Sequence, residues 1–273
     1  MKNNISIQYH NDIFYPSDKD EIEADISKIE TNEEKFDVKG LLLPHAGYDY
    51  ILPLLVRAFS SIEKNFDNII IIGSPHQDIL SKDSPYNIFL PSFDGCMTPY
   101  GPISFNTHIK EIAHEGMLKD SYFEEESEFE LLYPIIKKFF SETPVIPICT
   151  EIFNSKKSKD LATFLNKIYS IEKNSLVIVT ANMNSPKKGK VAYDDAMNFK
   201  QAIENGSYLL SPEYRKIVTS CGSGIFDAIK KTKVLKDKKW KILMVEREGE
   251  ISQSIIKTTS KSHIVYHGLG ILQ

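Results

Sequence analysis

Three side chains that can bind a metal ion follow apolar segments of the sequence: His45, His76 and Cys221. His45 stands in the turn PHAGY after VKGLLL (38–43), and His76 stands in the turn SPH after NIIIIG (68–73). Ligands of open α/β sheets bind beyond the carboxyl ends of the strands, so two successive strand ends could bring the two imidazoles together. Cys221 precedes Gly-Ser-Gly and a predicted helix, whose N-terminus would lower the pKa of the thiol. The three residue types are those of a two-histidine, one-thiolate metal site.

The remaining histidines and the glycines beside Cys221 have simpler interpretations. The other histidines are predicted to be hydrogen-bonded turn or cap residues: His10, His108, His114, His263 and His267. A single cysteine such as Cys221 is more often a small buried apolar residue than a ligand or a nucleophile. The Gly-Ser-Gly segment is too short for a phosphate-binding loop, which needs a fuller glycine signature.

Alternating apolar and amphipathic segments predict the elements that position these residues. Five short segments rich in Ile, Val and Leu are typical of strands buried on both faces and are expected at the centre of a sheet: 38–43, 68–73, 144–148, 175–180 and 241–246. Helical spacing of apolar residues predicts helices at 17–30, 51–64, 127–140, 156–171, 193–206 and 222–233. Turn residues between 98 and 106 predict a hairpin or edge strand outside the parallel core.

This pattern predicts an α/β fold in which helices cover both faces of a central, largely parallel sheet. Ser17 and Asp18 are the predicted N-caps of the first helix. The length of 273 residues lies within the range of one large domain, and we expect a single domain over residues 1–273.

Composition and charge exclude several classes of partner. The chain has 33 basic and 37 acidic side chains, and this balance gives no electrostatic footprint for nucleic acid or an anionic membrane. The first residues lack the apolar core of a signal peptide, and no apolar run approaches the roughly 18 residues of a membrane span, so we expect a cytoplasmic protein. The 3 cysteines are far apart and form no CxxC pair, which fits a reducing compartment and excludes a zinc ribbon.

Five short motifs are spread along the chain: Phe-Tyr-Pro (14–16), Pro-His-Ala-Gly-Tyr (44–48), Gly-Ser-Pro-His (73–76), Thr-Pro-Tyr-Gly (98–101) and Cys-Gly (221–222). In this order they resemble the motifs of the Memo family, whose prokaryotic members are called AmmeMemoRadiSam system protein B. The resemblance extends from Phe14 to the closing segment HIVYHGLGIL, and the five identities of the PHAGY turn make it fairly specific.

The resemblance implies a fold similar to that of class III extradiol dioxygenases, which bind non-haem iron through two histidines and a third ligand. Memo-like proteins have a cysteine in the third position, so the matching residues here are His45, His76 and Cys221. Iron or copper is the implied metal, since imidazole suits both and a thiolate favours copper(I). The family also implies an association with AMMECR1-like and radical-SAM proteins. Memo-like proteins are further associated with recognition of phosphotyrosine-containing peptides.

The sequence departs from the family at positions that could exchange protons. The family pattern Ser-Ser-Asp-x-Ser-His-Tyr reads Thr-Ala-Asn-Met-Asn-Ser-Pro (180–186), with Asn182 in place of the Asp and Ser185 in place of the His. The pattern Glu-His-Ser-x-Glu reads Glu-Ser-Glu-Phe-Glu (126–130), so Ser127 replaces a histidine. None of these three side chains titrates near neutral pH, so none can replace a general acid or base.

Two hypotheses follow from the motifs and the departures. The first is a divergent Memo-like protein that binds metal through His45, His76 and Cys221, with or without redox chemistry, and has no extradiol dioxygenase turnover. Tyr48, Asn182, Asn184 and Ser185 are then the predicted cleft residues for a substrate. The second is a non-catalytic binding module for a peptide or partner protein.

Overall fold

The computed structural model describes residues 4–31, 34–76, 87–112, 117–120, 126–152, 154–248 and 263–273. The strands in these ranges are β1 (Ile5–Ser6), β2 (Gly40–Leu43), β3 (Asn68–Gly73), β4 (Ile88–Pro91), β5 (Gly95–Cys96), β6 (Ile103–Ser104), β7 (Met117–Asp120), β8 (Val145–Thr150), β9 (Ser175–Thr180), β10 (Trp240–Arg247) and β11 (Tyr266–Leu272). The helices are α1 (Lys19–Ile26), α2 (Tyr48–Ser60), α3 (Ser127–Glu130), α4 (Tyr133–Phe139), α5 (Ser155–Ile171), α6 (Gly189–Glu204) and α7 (Ser223–Ile229).

The main sheet is mixed, with a parallel centre. Its strand order within the described residues is β10-β11-β2-β9-β3-β8-β4-β7. The four central strands β2, β9, β3 and β8 are parallel, whereas β11 pairs antiparallel with β2 and β4 pairs antiparallel with β8. The predicted α/β class is confirmed. The four central strands and the edge pair β4–β7 are parallel, whereas the other strand pairs are antiparallel.

Helices cover both faces of this sheet because successive side chains of a strand point to opposite faces. Leu41 and Leu43 of β2 pack in the core cluster that contains the apolar residues of α1, α2, α3 and α4. Leu42 belongs to the other cluster, which contains those of α5, α6 and α7. The same alternation holds in β3 and β9, so the parallel strands are buried on both faces and read as continuous apolar runs.

The helices follow the apolar spacing with shifted ends. The predicted helix at 127–140 is divided into α3 and α4, and α2 begins three residues before the predicted position 51. Asp18 is the N-cap of α1, and its side chain accepts a hydrogen bond from the backbone N–H of Asp20. No helix in the described ranges combines the length and apolar character needed to span a membrane.

The segment 241–246 is a strand as predicted, but its expected place at the centre of the sheet is wrong. This segment forms β10, which lies at the edge of the sheet and pairs antiparallel with β11. β11 takes the place next to β2 and was not predicted as a strand. The expected hairpin near residues 98–106 is present as β5 and β6, which pair antiparallel in a separate small sheet with β1.

Candidate metal centre

His45 lies in the turn between β2 and α2, where Asn182 holds its backbone. Pro44 fixes its own φ and favours an extended conformation of Leu43, and Gly47 is the N-cap of α2. The N–H of His45 donates to Oδ1 of Asn182 at 3.4 Å, and Nδ2 of Asn182 donates to the carbonyl oxygen of His45 at 3.2 Å. His45 is only 7 % exposed, so the imidazole lies inside the protein.

His76 follows β3, which is separated from β2 by β9 in the sheet, and Glu126 fixes its orientation. The carboxylate of Glu126 accepts the backbone N–H of His76 at 3.2 Å and the side-chain Nδ1 at 3.1 Å. Because a carboxylate only accepts hydrogen bonds, Nδ1 of His76 is the donor of this bond, and Nε2 faces His45. The side chain of His76 is 50 % exposed, so this imidazole forms the solvent-facing edge of the site.

The two imidazoles meet through their Nε2 atoms. These atoms are 3.2 Å apart, and the ring planes make an angle of 84°. Nδ1 of His45 lies 3.0 Å from Oγ1 of Thr180, so the Nδ1 atoms of both rings have other partners. Burial, followed by the neighbouring His76 and His267, holds the pKa of His45 well below its usual value of 6.5. His45 is therefore neutral, and the facing nitrogens require a proton or a metal ion between them.

The sulfur of Cys221 is close to the same nitrogen. Sγ lies 3.8 Å from Nε2 of His45. The loop that carries it is held by Ser74, whose hydroxyl donates to the carbonyl oxygen of Cys221 at 3.0 Å, and by Ser220, whose hydroxyl donates to the carbonyl oxygen of Asn182 at 2.6 Å. These contacts attach the loop to the segments after β3 and β9, close to the two histidines that follow β2 and β3.

The expectation of a lowered thiol pKa at Cys221 is wrong. Burial of the sulfur, followed by the nearby carboxyl of Glu128, raises the pKa of the thiol to about 12, and backbone hydrogen bonds offset only part of this. Cys221 as a whole residue is exposed, but its sulfur points inward toward His45. The following helix α7 has only 7 residues, and its N-terminus does not outweigh the burial. Coordination to a cation deprotonates a thiol outright, so a raised pKa does not exclude a ligand role.

The separation of the two Nε2 atoms fits a single tetrahedral ion, whereas Cys221 is outside the group of donors that all lie within 4.8 Å of one another in the described part of the chain. Two nitrogens at about 2.0–2.1 Å from such an ion lie about 3.3 Å apart, and a sulfur at about 2.3 Å lies about 3.6 Å from each nitrogen. The observed distances are 3.2 Å between the nitrogens and 3.8 Å from the sulfur to Nε2 of His45. Hydrogen bonds from the second nitrogen of a metal-bound histidine to a carboxylate or another polar group are the usual outer support of such sites.

Glu128 belongs to this site although the sequence did not single it out. Its carboxyl group is fully buried, and Oε2 lies 3.8 Å from Nδ1 of His45 and 3.8 Å from Nδ1 of His76. Within the described residues, His45, His76 and Glu128 form the group of potential metal ligands whose donor atoms all lie within 4.8 Å of one another. Burial, then the negative charge of Glu126, raises the pKa of Glu128 well above 4.5, although the nearby backbone amide of Ser74 favours the charged form.

His267 was predicted to be a turn or cap residue, and it lies in β11 beside the site. Its Nδ1 is 3.0 Å from Oδ1 of Asn182, the same oxygen that contacts the N–H of His45. Burial lowers the pKa of His267 to about 4, and the residue is 1 % exposed. His267 and His45 thus share Asn182 as a partner. His114, for which a turn or cap position was also predicted, lies outside the described residues.

The other predicted cleft residues are largely engaged in contacts within the protein. Tyr48 is 5 % exposed, and its hydroxyl donates to the carbonyl oxygen of Leu131 at 2.9 Å. Asn184 is 2 % exposed; its Nδ2 donates to the carbonyl oxygen of Ile264, and its Oδ1 accepts from the N–H of Tyr266 at the start of β11. The hydroxyl of Ser185 lies 2.8 Å from that of Thr219. Asn182 is the predicted cleft residue that contacts His45 directly.

These features define an α/β protein with two converging imidazoles, a thiol and a buried carboxyl at the carboxyl ends of its central strands. The family model described as Memo-like protein matches residues 9–262. The chain therefore belongs to the Memo family.

Curated relatives carry the name MEMO1 family protein. The relative from Thermotoga neapolitana is 26 % identical over 235 residues, which cover 78 % of this chain and 82 % of that protein. The relative from Aquifex aeolicus is 25 % identical, and the alignment covers 63 % of this chain and 64 % of that protein. Caldivirga maquilingensis has one that is 23 % identical, with 88 % and 87 % covered. A crystal structure of an uncharacterized Escherichia coli K12 protein is similar with a TM-score of 0.45 and 10 % identity, over 86 % of this chain and 99 % of that one.

Proposed function

We propose that this Memo-family protein binds one transition-metal ion between His45 and His76, with Cys221 as the third protein donor and iron or copper as the ion. The observation that carries the proposal is the 3.2 Å separation of the two Nε2 atoms, both on rings whose Nδ1 atoms have other partners. Two imidazole nitrogens that face each other at this distance can share a cation. Imidazole is a good ligand for either metal, and thiolate favours copper(I).

The residues around the ion would bind and orient rather than transfer protons. Asn182 holds the backbone of His45 and has no proton to exchange at neutral pH. Ser185 is hydrogen-bonded to Thr219, which in turn donates to the carboxylate of Asp195 at 2.6 Å. Neither side chain can act as the base of a ring-cleaving reaction, so the proposed role is metal binding or redox chemistry without extradiol turnover.

The test is a paired measurement on the wild type and His45→Ala. A ligand role predicts that the substitution strongly reduces metal occupancy after anaerobic reconstitution and leaves the metal-free protein folded. A purely structural role predicts metal-free destabilisation of about 1–3 kcal/mol with unchanged occupancy, because a buried partner loses its hydrogen bond. His108→Ala is a matched control, since His108 is an exposed histidine in a short helical turn. The control should change neither quantity.

A protein that takes up neither iron nor copper would favour the alternative function, a non-catalytic binding module. Its ligand would then be a peptide or a partner such as an AMMECR1-like or radical-SAM protein. The same elemental measurement therefore decides between the two functions.

A further inference from the structure

Glu128 is fully buried, and its hydrogen bonds within the described residues do not explain the burial. It is 0 % exposed, and neither Oε1 nor Oε2 has a hydrogen-bond partner of normal geometry within the described residues. A buried polar atom without a partner is rare in folded proteins, and an ion near the group is one of the few physical explanations. Within the described residues, the backbone amide of Ser74 favours the charged form but does not offset the burial, so a nearby cation would account for this carboxyl group.

The space for this carboxyl group is built into the sheet. A Cβ atom at Gly73, the last residue of β3, would lie 2.1 Å from Oε1 of Glu128 and 2.9 Å from Cγ2 of Thr180. Only a glycine leaves room here for the carboxyl group behind the two imidazoles. Oε2 is then equidistant, at 3.8 Å, from Nδ1 of His45 and Nδ1 of His76.

We infer that Glu128 is the charge-balancing partner of the bound ion and makes the site prefer a divalent over a monovalent metal ion. This inference rests on the proposed metal centre. The Nδ1 atoms already have Thr180 and Glu126 as partners, so Glu128 acts on both rings through its charge rather than as a hydrogen-bond acceptor. Burial favours the neutral carboxyl in the metal-free protein, whereas a cation held by the two rings would favour the charged form. That negative charge would make the rings better donors and attract the cation. Glu128 is thus a positioning residue for the metal, and it does not contact a substrate.

The preference follows from the dependence of electrostatic attraction on ion charge. Coulomb energy is proportional to the charge of the ion, so the same carboxylate stabilises a divalent ion about twice as much in free energy as a monovalent ion. Loss of an outer carboxylate typically weakens metal binding by about 10- to 100-fold. The corresponding loss for a monovalent ion is roughly the square root of that factor, about 3- to 10-fold. A preference between the two charges is therefore the signature of this role.

The experiment compares Zn²⁺, a redox-inert divalent probe, with Cu⁺ under anaerobic conditions. Dissociation constants are measured by competition with chelators for the wild type, Glu128→Gln and Glu128→Asp. We expect Glu128→Gln, which keeps the shape and removes the charge, to weaken Zn²⁺ binding by about 10- to 100-fold and Cu⁺ binding by about 3- to 10-fold. Glu128→Asp keeps the charge and should retain most of the divalent preference. Glu213→Gln, at an exposed position, is the control for loss of one charge and should leave both constants unchanged.

Two outcomes would overturn the inference. Equal weakening of both ions by Glu128→Gln would assign Glu128 a structural role only, and unchanged affinities would show that its charge does not reach the ion. If instead the wild type binds neither Zn²⁺ nor Cu⁺, the proposed metal centre itself fails. Binding that depends on His45 but shows the same ratio of constants in the wild type and Glu128→Gln would refute only the role of Glu128.

Discussion

Acid should destabilise this fold through His267. The pKa of this buried imidazole is lowered to about 4, whereas a histidine in the unfolded chain titrates near 6.5. As the pH falls through 6.5, the unfolded chain takes up a proton that the folded protein does not bind, so the free energy of unfolding decreases. The loss continues until the pH reaches the folded pKa near 4. One pKa unit corresponds to about 1.4 kcal/mol, so the total loss from His267 is about 3 kcal/mol.

Chemical denaturation of the metal-free wild type and His267→Asn at about pH 7 and about pH 4 measures this term. We expect the wild type to lose about 3 kcal/mol more than the variant over this interval, whatever the variant costs at neutral pH. Buried groups that His267 does not influence, such as Glu128, are present in both proteins and cancel in the comparison. His108→Asn, at an exposed position, should follow the wild type. An identical pH dependence in wild type and His267→Asn would refute the assignment of His267 as a buried neutral histidine.

Three further predictions concern the residues around the site. Glu130→Gln should lower the free energy of unfolding by about 2–4 kcal/mol in denaturant titrations. The buried carboxylate accepts hydrogen bonds from the N–H groups of Tyr9 and His10 and, at 2.7 Å, from the hydroxyl of Tyr15. A loss below about 0.5 kcal/mol would show that these bonds add little stability. Gly73→Ala should destabilise the protein by about 1–3 kcal/mol and reduce the preference for divalent ions, because the new methyl group displaces the carboxyl of Glu128. Unchanged stability and unchanged ion preference would contradict the tight packing at this glycine. Catechols supplied with the iron(II)-loaded protein should give no ring-cleavage product above a metal-free control, and turnover well above that control would mean that another group serves as the base.

The central strands were predictable because burial on both faces leaves a simple signature. β3 and β9 have the predicted bounds, and every residue of both strands is buried. β11 was missed because it contains two glycines, which weaken a strand pattern. Both glycines allow close packing that a side chain would block. A Cβ at Gly268 would lie 3.0 Å from Sδ of Met183, and one at Gly270 would lie 2.8 Å from Cδ1 of Ile242. Close packing between distant segments selects these glycines, and a local pattern cannot reveal it.

The site was predictable to a similar extent. His45 and His76 could be located because each follows a buried strand, and parallel strand ends meet at one edge of the sheet. Glu128 and His267 approach the site from segments far from both histidines in sequence, so their proximity depends on the tertiary fold. One signal for Glu128 was present, since the segment 126–130 carries a carboxylate where the family pattern has a serine. The thiol pKa of Cys221 was mispredicted because burial of the sulfur outweighs the effect of a short helix.

X-ray absorption spectroscopy of the anaerobically reconstituted protein tests the proposed metal centre most directly, because it reports the ligand atoms themselves. We expect one ion per chain with an imidazole shell from two histidines at about 2.0–2.1 Å and one sulfur at about 2.3 Å. The imidazole contribution should be halved or lost in His45→Ala. An ion bound without imidazole scattering, or a spectrum that His45→Ala leaves unchanged, would contradict a metal centre between His45 and His76.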